Sequence, residues 1–253
     1  MKIAVLSDIH GNCFALEAVL ENAKANGVEL LFNLGDIFYG PIAPRATWEL
    51  LQSLSMPTNL TILTILGNQD RQILEATPAE TAANPTMQFV LDDLGTEPLA
   101  WLASLPSLYC PESDILMCHG SPINDMEYLL EDVASGHPAM RSDDDITSSL
   151  AGRTEELILC GHTHIPRTVA LGNGQLVVNP GSVGLPAYSD DEPFPHAMEN
   201  FCPHASYALL EKNRKGWEVR QIKVPYDHHR AASLARQRQR DDWAQFLTSG
   251  RAE

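Results

Sequence analysis

Basic residues are scarce in this chain of 253 residues: 17 lysines and arginines stand against 33 aspartates and glutamates, a formal net charge of −16. A surface this acidic repels the phosphate backbone of nucleic acids and anionic lipid headgroups. The composition therefore argues against a protein that binds a nucleic-acid duplex or a membrane surface. A phosphorylated substrate would need local positive charge to overcome this repulsion.

Cysteines and long apolar runs are scarce as well. The five cysteines are scattered, without a C-x-x-C pair, which is typical of free thiols in a reducing compartment rather than of a disulfide framework. No stretch approaches the roughly 18 consecutive apolar residues of a membrane span. The first residues, MKIAVLSDIHGN, lack the longer apolar region and the cleavage site of a signal peptide. These absences predict a cytoplasmic protein.

Short apolar runs bounded by turn residues predict eight β-strands, with helical patterns between the early ones. The predicted strands cover residues 3–6, 30–34, 60–66, 115–118, 157–160, 167–171, 175–178 and 207–210. Helices are predicted after an N-cap at Asn12 and over about 44–54, 86–94, 97–104 and 124–134. The alternating first half and the strand-rich second half predict a layered α/β protein with partly parallel sheets.

Three further segments differ in composition from the rest of the chain. Residues 121–152 form a long connection between two strands, and the Pro-rich, acidic residues 186–204 predict an ordered loop without regular structure. The sequence after Tyr226 predicts one charged amphipathic helix, docked by its apolar residues and with its basic stretch in solvent. We therefore predict one domain over residues 1–225, with a C-terminal helix over 226–253 packed on it.

Five small polar clusters fall at or just after the ends of predicted strands, which is where open α/β sheets build their sites. They are Asp8-Ile9-His10, Gly35-Asp36, Gly67-Asn68-Gln69-Asp70, His119-Gly120 and Gly161-His162-Thr163-His164. Each cluster alone is weak evidence for a functional site, because a single Asp or His at a strand end more often caps a helix or forms a turn. Together they offer oxygen and imidazole ligands without a thiolate, a set that suits Mn, Fe, Ni or Zn.

In this order the five clusters resemble the motifs of the calcineurin-like metallophosphoesterases: D-x-H, G-D, G-N-[HC]-[DE], H-G and G-H-T-H. The later run Asn179-Pro180-Gly181-Ser182-Val183-Gly184 resembles the small bacterial and archaeal phosphodiesterase branch of that family. The resemblance implies a four-layer α/β/β/α sandwich of two mixed β-sheets flanked by helices, with two divalent metal ions at the sheet ends. It implies that Asp8, His10 and His164 hold one ion, that Asn68, His119 and His162 hold the other, and that Asp36 bridges both.

The activity that the resemblance implies is hydrolysis of phosphodiester or nucleotide-type bonds by a hydroxide bridging the two metals. The implied catalytic residues are Asn68, Gln69, Asp70 and His119, and the implied substrate is a small phosphorylated compound. Mn²⁺ is the expected metal, with Fe, Ni or Zn as alternatives. Two divalent ions, less the charges of Asp8, Asp36 and the hydroxide, leave about +1 at the site, which would attract a phosphate to this acidic protein.

Position 69 departs from the family pattern, which has histidine or cysteine after the asparagine. Gln69 can donate a hydrogen bond but not a proton, so general-acid help worth about 10²–10⁴-fold is expected to be missing. This predicts a preference for good leaving groups: aryl phosphodiesters, phosphoanhydrides or nucleotide-type substrates. His196 and His204 are either exposed loop histidines or replacements for the missing acid.

Several neighbouring residues have two interpretations each. Asp70 either bonds the amide of Gln69 or caps the helix that follows, and Asn12 either caps a helix or contacts phosphate. Arg71 either pairs with a substrate phosphate or is an exposed helical arginine.

The function also has alternatives. Within the enzyme class these are a dinucleoside polyphosphate hydrolase and a protein-phosphatase-like enzyme. The alternative outside the enzyme class is a binding scaffold of the same fold, like the retromer subunit that resembles these phosphodiesterases. Degenerate members of that kind usually lose site residues, whereas all seven ligand positions here hold suitable side chains, which favours an enzyme.

Overall fold

The computed structural model describes residues 1–54 and 60–252 of the chain. The described strands are β1 Lys2–Leu6, β2 Leu30–Asn33, β3 Thr61–Thr64, β4 Leu108–Glu112, β5 Ile115–Cys118, β6 Glu131–Asp132, β7 Ala139–Met140, β8 Leu157–Leu159, β9 Arg167–Ala170, β10 Leu176–Asn179, β11 Ala187–Asp190, β12 His196–Glu199, β13 Ala205–Asn213 and β14 Gly216–Val224. The described helices are α1 Cys13–Ala25, α2 Pro44–Leu54, α3 Asn68–Glu75, α4 Pro78–Ala83, α5 Pro85–Leu94, α6 Thr96–Leu102, α7 Asp143–Ser149, α8 His228–Gln237 and α9 Asp241–Ser249.

Two five-stranded mixed sheets form the centre of the fold. The first has the order β14-β13-β1-β2-β3 and the second the order β4-β5-β8-β10-β9. Strands β1, β2 and β3 run parallel, as do β5, β8 and β10, while β13, β14, β4 and β9 pair antiparallel with their neighbours. The carboxyl ends of each parallel set therefore lie at one edge of its sheet, where the polar clusters begin. No helix in the described ranges is long and apolar enough to span a bilayer.

Alternating side chains of the strands fill both faces of each sheet. Ile3 of β1 packs between the sheets together with Phe32 and Met117, whereas Leu6 faces away and packs with Leu16 of α1. On the far side of the second sheet, Ile158 and its neighbours pack under α7. Helices thus cover both outer faces, and the predicted four-layer α/β/β/α sandwich is confirmed.

The predicted helix over 124–134 is wrong. This segment is irregular and contains only the two-residue strand β6. Its apolar residues are consecutive rather than spaced at a helical period, and they face different clusters: Tyr128 packs with Val133 and Met198, while Leu129 and Leu130 pack beneath the second sheet. Residues 186–204 are also not a loop without regular structure, because β11 and β12 pair there as an antiparallel hairpin.

The C-terminal segment forms two helices, so the prediction of a single helix is wrong. Helices α8 and α9 are separated at Gln239, whose φ is +60°. Trp243, Phe246 and Leu247 of α9 pack with Leu185 and Ala187. The division at residue 225 stays a prediction, and Glu253 lies outside the described residues.

Candidate metal centre

The structure brings the seven predicted metal ligands together at the carboxyl ends of the parallel strands. Asp8 and His10 follow β1, Asp36 follows β2, Asn68 opens α3, His119 follows β5, and His162 and His164 follow β8. The ligand atoms of Asp8, His10 and His164 lie within 4.8 Å of one another, and so do those of Asp36, His119 and His162. Asn68 joins the second group, because its Oδ1 lies 2.9 Å from His119 Nε2.

Five of the seven have an unusual backbone. Asp8, His10, Asp36, His162 and His164 all have positive φ values, between 52° and 69°. Each such residue other than glycine costs about 1–3 kcal/mol, and this strain persists only where the surrounding structure enforces it. Backbone hydrogen bonds from Asp8 to Gly35 and from His10 to Asp36 tie the first two clusters together. The fold therefore maintains a costly geometry that serves these side chains.

The run that follows β10 braces two of the clusters. Asn179 donates to the carbonyl of Gly161 at 2.7 Å and to Thr163 Oγ1 at 3.1 Å. Ser182 Oγ donates to the carbonyl of Asp8 at 2.8 Å. The run from Asn179 to Gly184 therefore fixes the loops that carry the predicted ligands. It does not itself line the cavity that lies above them.

Backbone carbonyls fix the orientation of three imidazoles. The Nδ1 atoms of His10, His119 and His164 lie 2.9, 2.7 and 2.7 Å from the carbonyls of Tyr39, Leu34 and Leu185. Because a carbonyl can only accept, each Nδ1 carries the hydrogen and each Nε2 is turned toward the centre. His162 is reversed: its Nε2 lies 3.2 Å from the Met126 carbonyl, which leaves Nδ1 as the free donor atom.

The arrangement of these atoms fits bound cations. The Nε2 atoms of His10 and His164 face each other at 3.1 Å. Asp8 Oδ1 is buried without a hydrogen-bond partner, 3.3 Å from His164 Nε2. Lone pairs this close repel one another unless a cation lies among them. Imidazole, carboxylate and amide donors suit first-row divalent metals, so these residues fit the two ions that the resemblance implies.

The pKa shifts of the titratable residues show that the buried carboxylates attract positive charge to the centre. Burial disfavours protonation of His119, but attraction by Asp36 outweighs it and raises the pKa of His119 to about 10. Burial, followed by repulsion from a neighbouring histidine, lowers the pKa of His10 and of His162 to about 4. Burial alone would raise the pKa of Asp8, yet attraction by His164 keeps it below its usual range. The two buried carboxylates thus hold a proton on His119 where a metal would supply the charge.

Gln69 and Asp70 have different roles from those of the usual histidine–aspartate pair. The backbone N–H of Gln69 donates to Asp36 Oδ1 at 2.8 Å, while its side-chain Oε1 is buried without a partner. Asp70 accepts from the N–H groups of Ile37 and Gly67 at 2.9 and 3.1 Å. It therefore caps α3 and does not orient the Gln69 amide. Burial and repulsion by Asp36 raise the pKa of Asp70 to about 7.

Two other open interpretations are resolved by contacts. Asn12 is an N-cap: its side chain accepts from the N–H of Ala15 and donates to the carbonyl of Gly184. Arg71 forms a two-point ion pair with Asp125, with nitrogen–oxygen distances of 2.7 and 2.9 Å. Its guanidinium holds the 121–152 connection against α3.

His196 is buried, so the interpretation of an exposed loop histidine is wrong for it. Its Nδ1 donates to the Phe194 carbonyl, and its Nε2 accepts from the Tyr128 hydroxyl at 3.0 Å. The Tyr128 ring in turn stacks 4.8 Å from the ring of His162. With both nitrogens occupied, His196 orients Tyr128 beside the centre. His204 is half-buried just before β13.

A cavity of about 260 Å³ opens above the predicted ligands, and its wall includes residues that sequence reasoning missed. Arg240, Asp242 and Trp243 reach it from the C-terminal helices. Arg240 donates to Asp242 and to Thr86 Oγ1, and Trp243 lies edge-on to His10 at 5.8 Å. The sequence analysis placed this basic stretch in solvent, and the apolar residues Trp243, Phe246 and Leu247 were the signal that the segment docks.

Comparisons with known proteins agree with this geometry. The model of the calcineurin-like phosphoesterase superfamily domain matches residues 1–198. An uncharacterized protein of Methanocaldococcus jannaschii is 27% identical over 251 residues, which cover 90% of this chain and 89% of that protein. The crystal structure of a metallophosphoesterase from Sphaerobacter thermophilus is similar with a TM-score of 0.74 and 25% identity, over 99% of this chain and 100% of that one. A hypothetical protein of Pyrococcus horikoshii OT3 shares the fold, with a TM-score of 0.77 and 22% identity over 98% of each chain. This chain belongs to the calcineurin-like phosphoesterase superfamily.

Proposed function

We propose that this protein is a phosphodiesterase that depends on two divalent metal ions, with Mn²⁺ as the working metal. The observation that carries the proposal is the pair of ligand groups, Asp8–His10–His164 and Asp36–His119–His162, with Asn68 beside the second. Their potential ligand atoms converge beneath an open cavity of about 260 Å³. A purely structural site would be closed by its own ligands, whereas a catalytic one keeps room for substrate.

When bound, two such ions would lower the pKa of a water molecule so that it could act as the nucleophile, and their charge would stabilise the phosphoryl oxygens. The protein's part is to hold the donor atoms in place. The carbonyls of Tyr39, Leu34 and Leu185 fix three imidazoles, and the N–H of Gln69 orients Asp36 as the bridging ligand. The Gln69 carboxamide lines the cavity, where it can donate a hydrogen bond to a substrate oxygen without transferring a proton.

The proposed substrate is a small phosphodiester, and the proposed location is the cytoplasm. All five cysteines are free thiols, which supports a reducing compartment. Phosphodiesters with good leaving groups are preferred over alkyl monoesters because the side chain at position 69 is an amide, which cannot deliver a proton to a poor leaving group. Dinucleoside polyphosphates and phosphoproteins are the alternative substrates within the same chemistry.

The test is a side-by-side assay of bis-p-nitrophenyl phosphate and p-nitrophenyl phosphate with metal-stripped protein that is then loaded with Mn²⁺. We expect turnover only with metal and a higher kcat/KM for the diester. A higher kcat/KM for the monoester would contradict the phosphodiesterase assignment. Absence of turnover with two ions bound per chain would favour the scaffold, with Gln69 marking a lost activity.

Replacing Gln69 by histidine should extend the enzyme to poorer leaving groups. The new imidazole would stand beside Asn68 at the cavity wall and supply the missing proton. For diesters with alkyl leaving groups we expect kcat/KM to rise by up to about 10²-fold, with little change for p-nitrophenyl esters, because general acids act mainly on poor leaving groups. The measurement is a plot of log kcat/KM against leaving-group pKa, whose slope should become shallower.

The control for this prediction is Gln88→His, which places the same side chain on the exposed face of α5. Its plot should coincide with that of the unmodified enzyme. A steeper or unchanged slope in the Gln69→His variant would show that position 69 does not face the leaving group.

A further inference from the structure

A second, larger cleft adjoins the candidate metal centre. It has a volume of about 760 Å³ and lies between the 121–152 connection and the β11–β12 hairpin. Met126, His162 and Asp190 line both this cleft and the smaller cavity above the metal ligands. A phosphodiester whose phosphate sits over the metal ligands can therefore extend one of its two organic groups into the cleft.

The cleft is strongly acidic. Six carboxylates line it, against a single lining arginine, Arg141: Glu127, Glu131, Asp132, Asp145, Asp190 and Glu192. Glu127 pairs with Arg141 and Glu131 pairs with Arg167, each at 3.1 Å. Within the described part of the chain, the other four carboxylates have no cation within 4.0 Å. Six negative charges less two positive ones leave −4 along one wall of the site.

One of these carboxylates is an unsatisfied buried group. Glu131 is 3% exposed, and although its Oε1 is bound by Arg167, its Oε2 has no hydrogen-bond partner. A buried carboxylate oxygen without a partner is destabilising unless a donor or a cation approaches it. Burial raises the pKa of Glu131 accordingly. Glu131 therefore keeps one carboxylate oxygen, Oε2, that its ion pair with Arg167 leaves unsatisfied at the wall of the cleft.

The same cleft exposes apolar surface. Met126, Met140 and Phe194 line it, and these three side chains are 44%, 46% and 52% exposed. Tyr128 also lines the cleft, although only 7% of its surface is exposed. Exposed apolar side chains gathered in a concave surface are typical of ligand sites. Aromatic rings also attract cations that approach their faces. Apolar surface with surplus negative charge is complementary to a positively charged group that has an apolar body.

We propose that this cleft binds an ammonium group carried by one arm of the substrate, so that the preferred substrates are phosphodiesters with a cationic organic group. The proposal rests on the proposed function for the position of the phosphate. Additional anionic groups, as in polyphosphates, are repelled by the same carboxylates. The cleft thus selects among substrates by an organic group that the metal ligands do not contact.

The experiment compares two ligands of the same shape and different charge. Phosphorylcholine and 3,3-dimethylbutyl phosphate differ in a quaternary nitrogen in place of a quaternary carbon. Binding of each to the full-length, Mn²⁺-loaded protein is measured by calorimetry at low ionic strength. We expect phosphorylcholine to bind at least about tenfold more tightly, and the difference to shrink with added salt because exposed charges are screened.

Two variants locate the effect in the cleft. Glu192→Gln and Asp132→Asn each remove one exposed, unpaired charge, and each should reduce the affinity ratio several-fold. Glu97→Gln, on the exposed surface of α6 and outside the cleft, should leave the ratio unchanged. Equal affinities for the two ligands would overturn the proposal. So would a preference that persists unchanged in both cleft variants, because the cation would then bind elsewhere.

A parallel assay separates this proposal from the proposed function. The chromogenic diester p-nitrophenyl phosphorylcholine should be a better substrate than its 3,3-dimethylbutyl counterpart. Turnover of bis-p-nitrophenyl phosphate without any charge preference would retain the phosphodiesterase and reject the cation cleft. Selective binding of phosphorylcholine without turnover of any ester would retain the cleft and reject the enzyme.

Discussion

Replacing Asp36 by asparagine should abolish nearly all of the proposed phosphodiesterase activity while leaving the fold intact. Asp36 is 2% exposed and belongs to the second ligand group, with Oδ2 3.5 Å from His119 Nε2. Asparagine keeps the shape, and its Oδ1 can still accept from the N–H of Gln69. A neutral amide, however, cannot bridge two cations. Loss of outer partners alone costs about 10–100-fold in metal affinity or activity, so we expect kcat/KM to fall by more than about 10²-fold.

The measurement pairs kcat/KM for bis-p-nitrophenyl phosphate with the manganese content of the dialysed protein. The content should fall below that of the unmodified chain, because the Asp36 carboxylate is proposed to bind both ions. Asp92→Asn is the matched control, since Asp92 lies on the exposed face of α5 and accepts only from Gln88. Full metal content together with full activity in the Asp36→Asn variant would show that Asp36 does not bind the metal ions.

The location of the candidate site could be predicted from the sequence because it depends on topology. Asp8, Asp36 and His119 each follow an apolar strand within a few residues, and parallel neighbouring strands place their carboxyl ends at one edge. The two sheets pack face to face, so the edges that carry His119 and Asp8 meet. The order of the polar clusters along the chain and the lengths of the strands before them were enough to predict that these residues lie close together.

The walls around the centre could not be predicted in the same way. Arg240 and Trp243 reach the cavity only because α8 and α9 break at Gln239 and turn back onto Leu185. Nothing in the local pattern of this charged segment distinguishes a helix in solvent from two helices at a site. The acidic cleft was missed for a related reason: the consecutive apolar residues around Tyr128 suggested a helix, whereas their side chains belong to two different clusters.

The surroundings of Gln69 could be predicted from the sequence only in part. Its departure from the family pattern was visible in the sequence, but the sequence left two roles open for Asp70. The contacts of Asp70 with the N–H groups of Ile37 and Gly67 decide between them. Those contacts depend on the loop after β2 lying against the start of α3, a long-range approach that no periodicity encodes.

That close approach leads to a second prediction with a large effect, Gly67→Ala. A Cβ atom at position 67 would overlap Oδ1 and the backbone N of Asp36 and lie 2.9 Å from its Cγ. The backbone of Gly67 is extended, with φ −92° and ψ 174°, so alanine fits the local conformation and the whole effect comes from the collision. Overpacking of this kind typically costs about 1–3 kcal/mol. At roughly 2–4 °C per kcal/mol for a chain of this size, we expect a lower Tm in thermal unfolding.

The more informative consequence concerns the metal. Because the added methyl group pushes directly on the predicted bridging carboxylate, manganese content and kcat should fall together, even at temperatures where the variant is fully folded. Gly172→Ala is the control, since its Cβ would meet only Asp143 Oδ2 at an ordinary 3.4 Å. A Gly67→Ala variant with reduced Tm but unchanged metal content and kcat would mean that Asp36 can move without loss of function. The bridging role proposed for it would then be untenable, because a carboxylate shared by two ions tolerates little displacement from both.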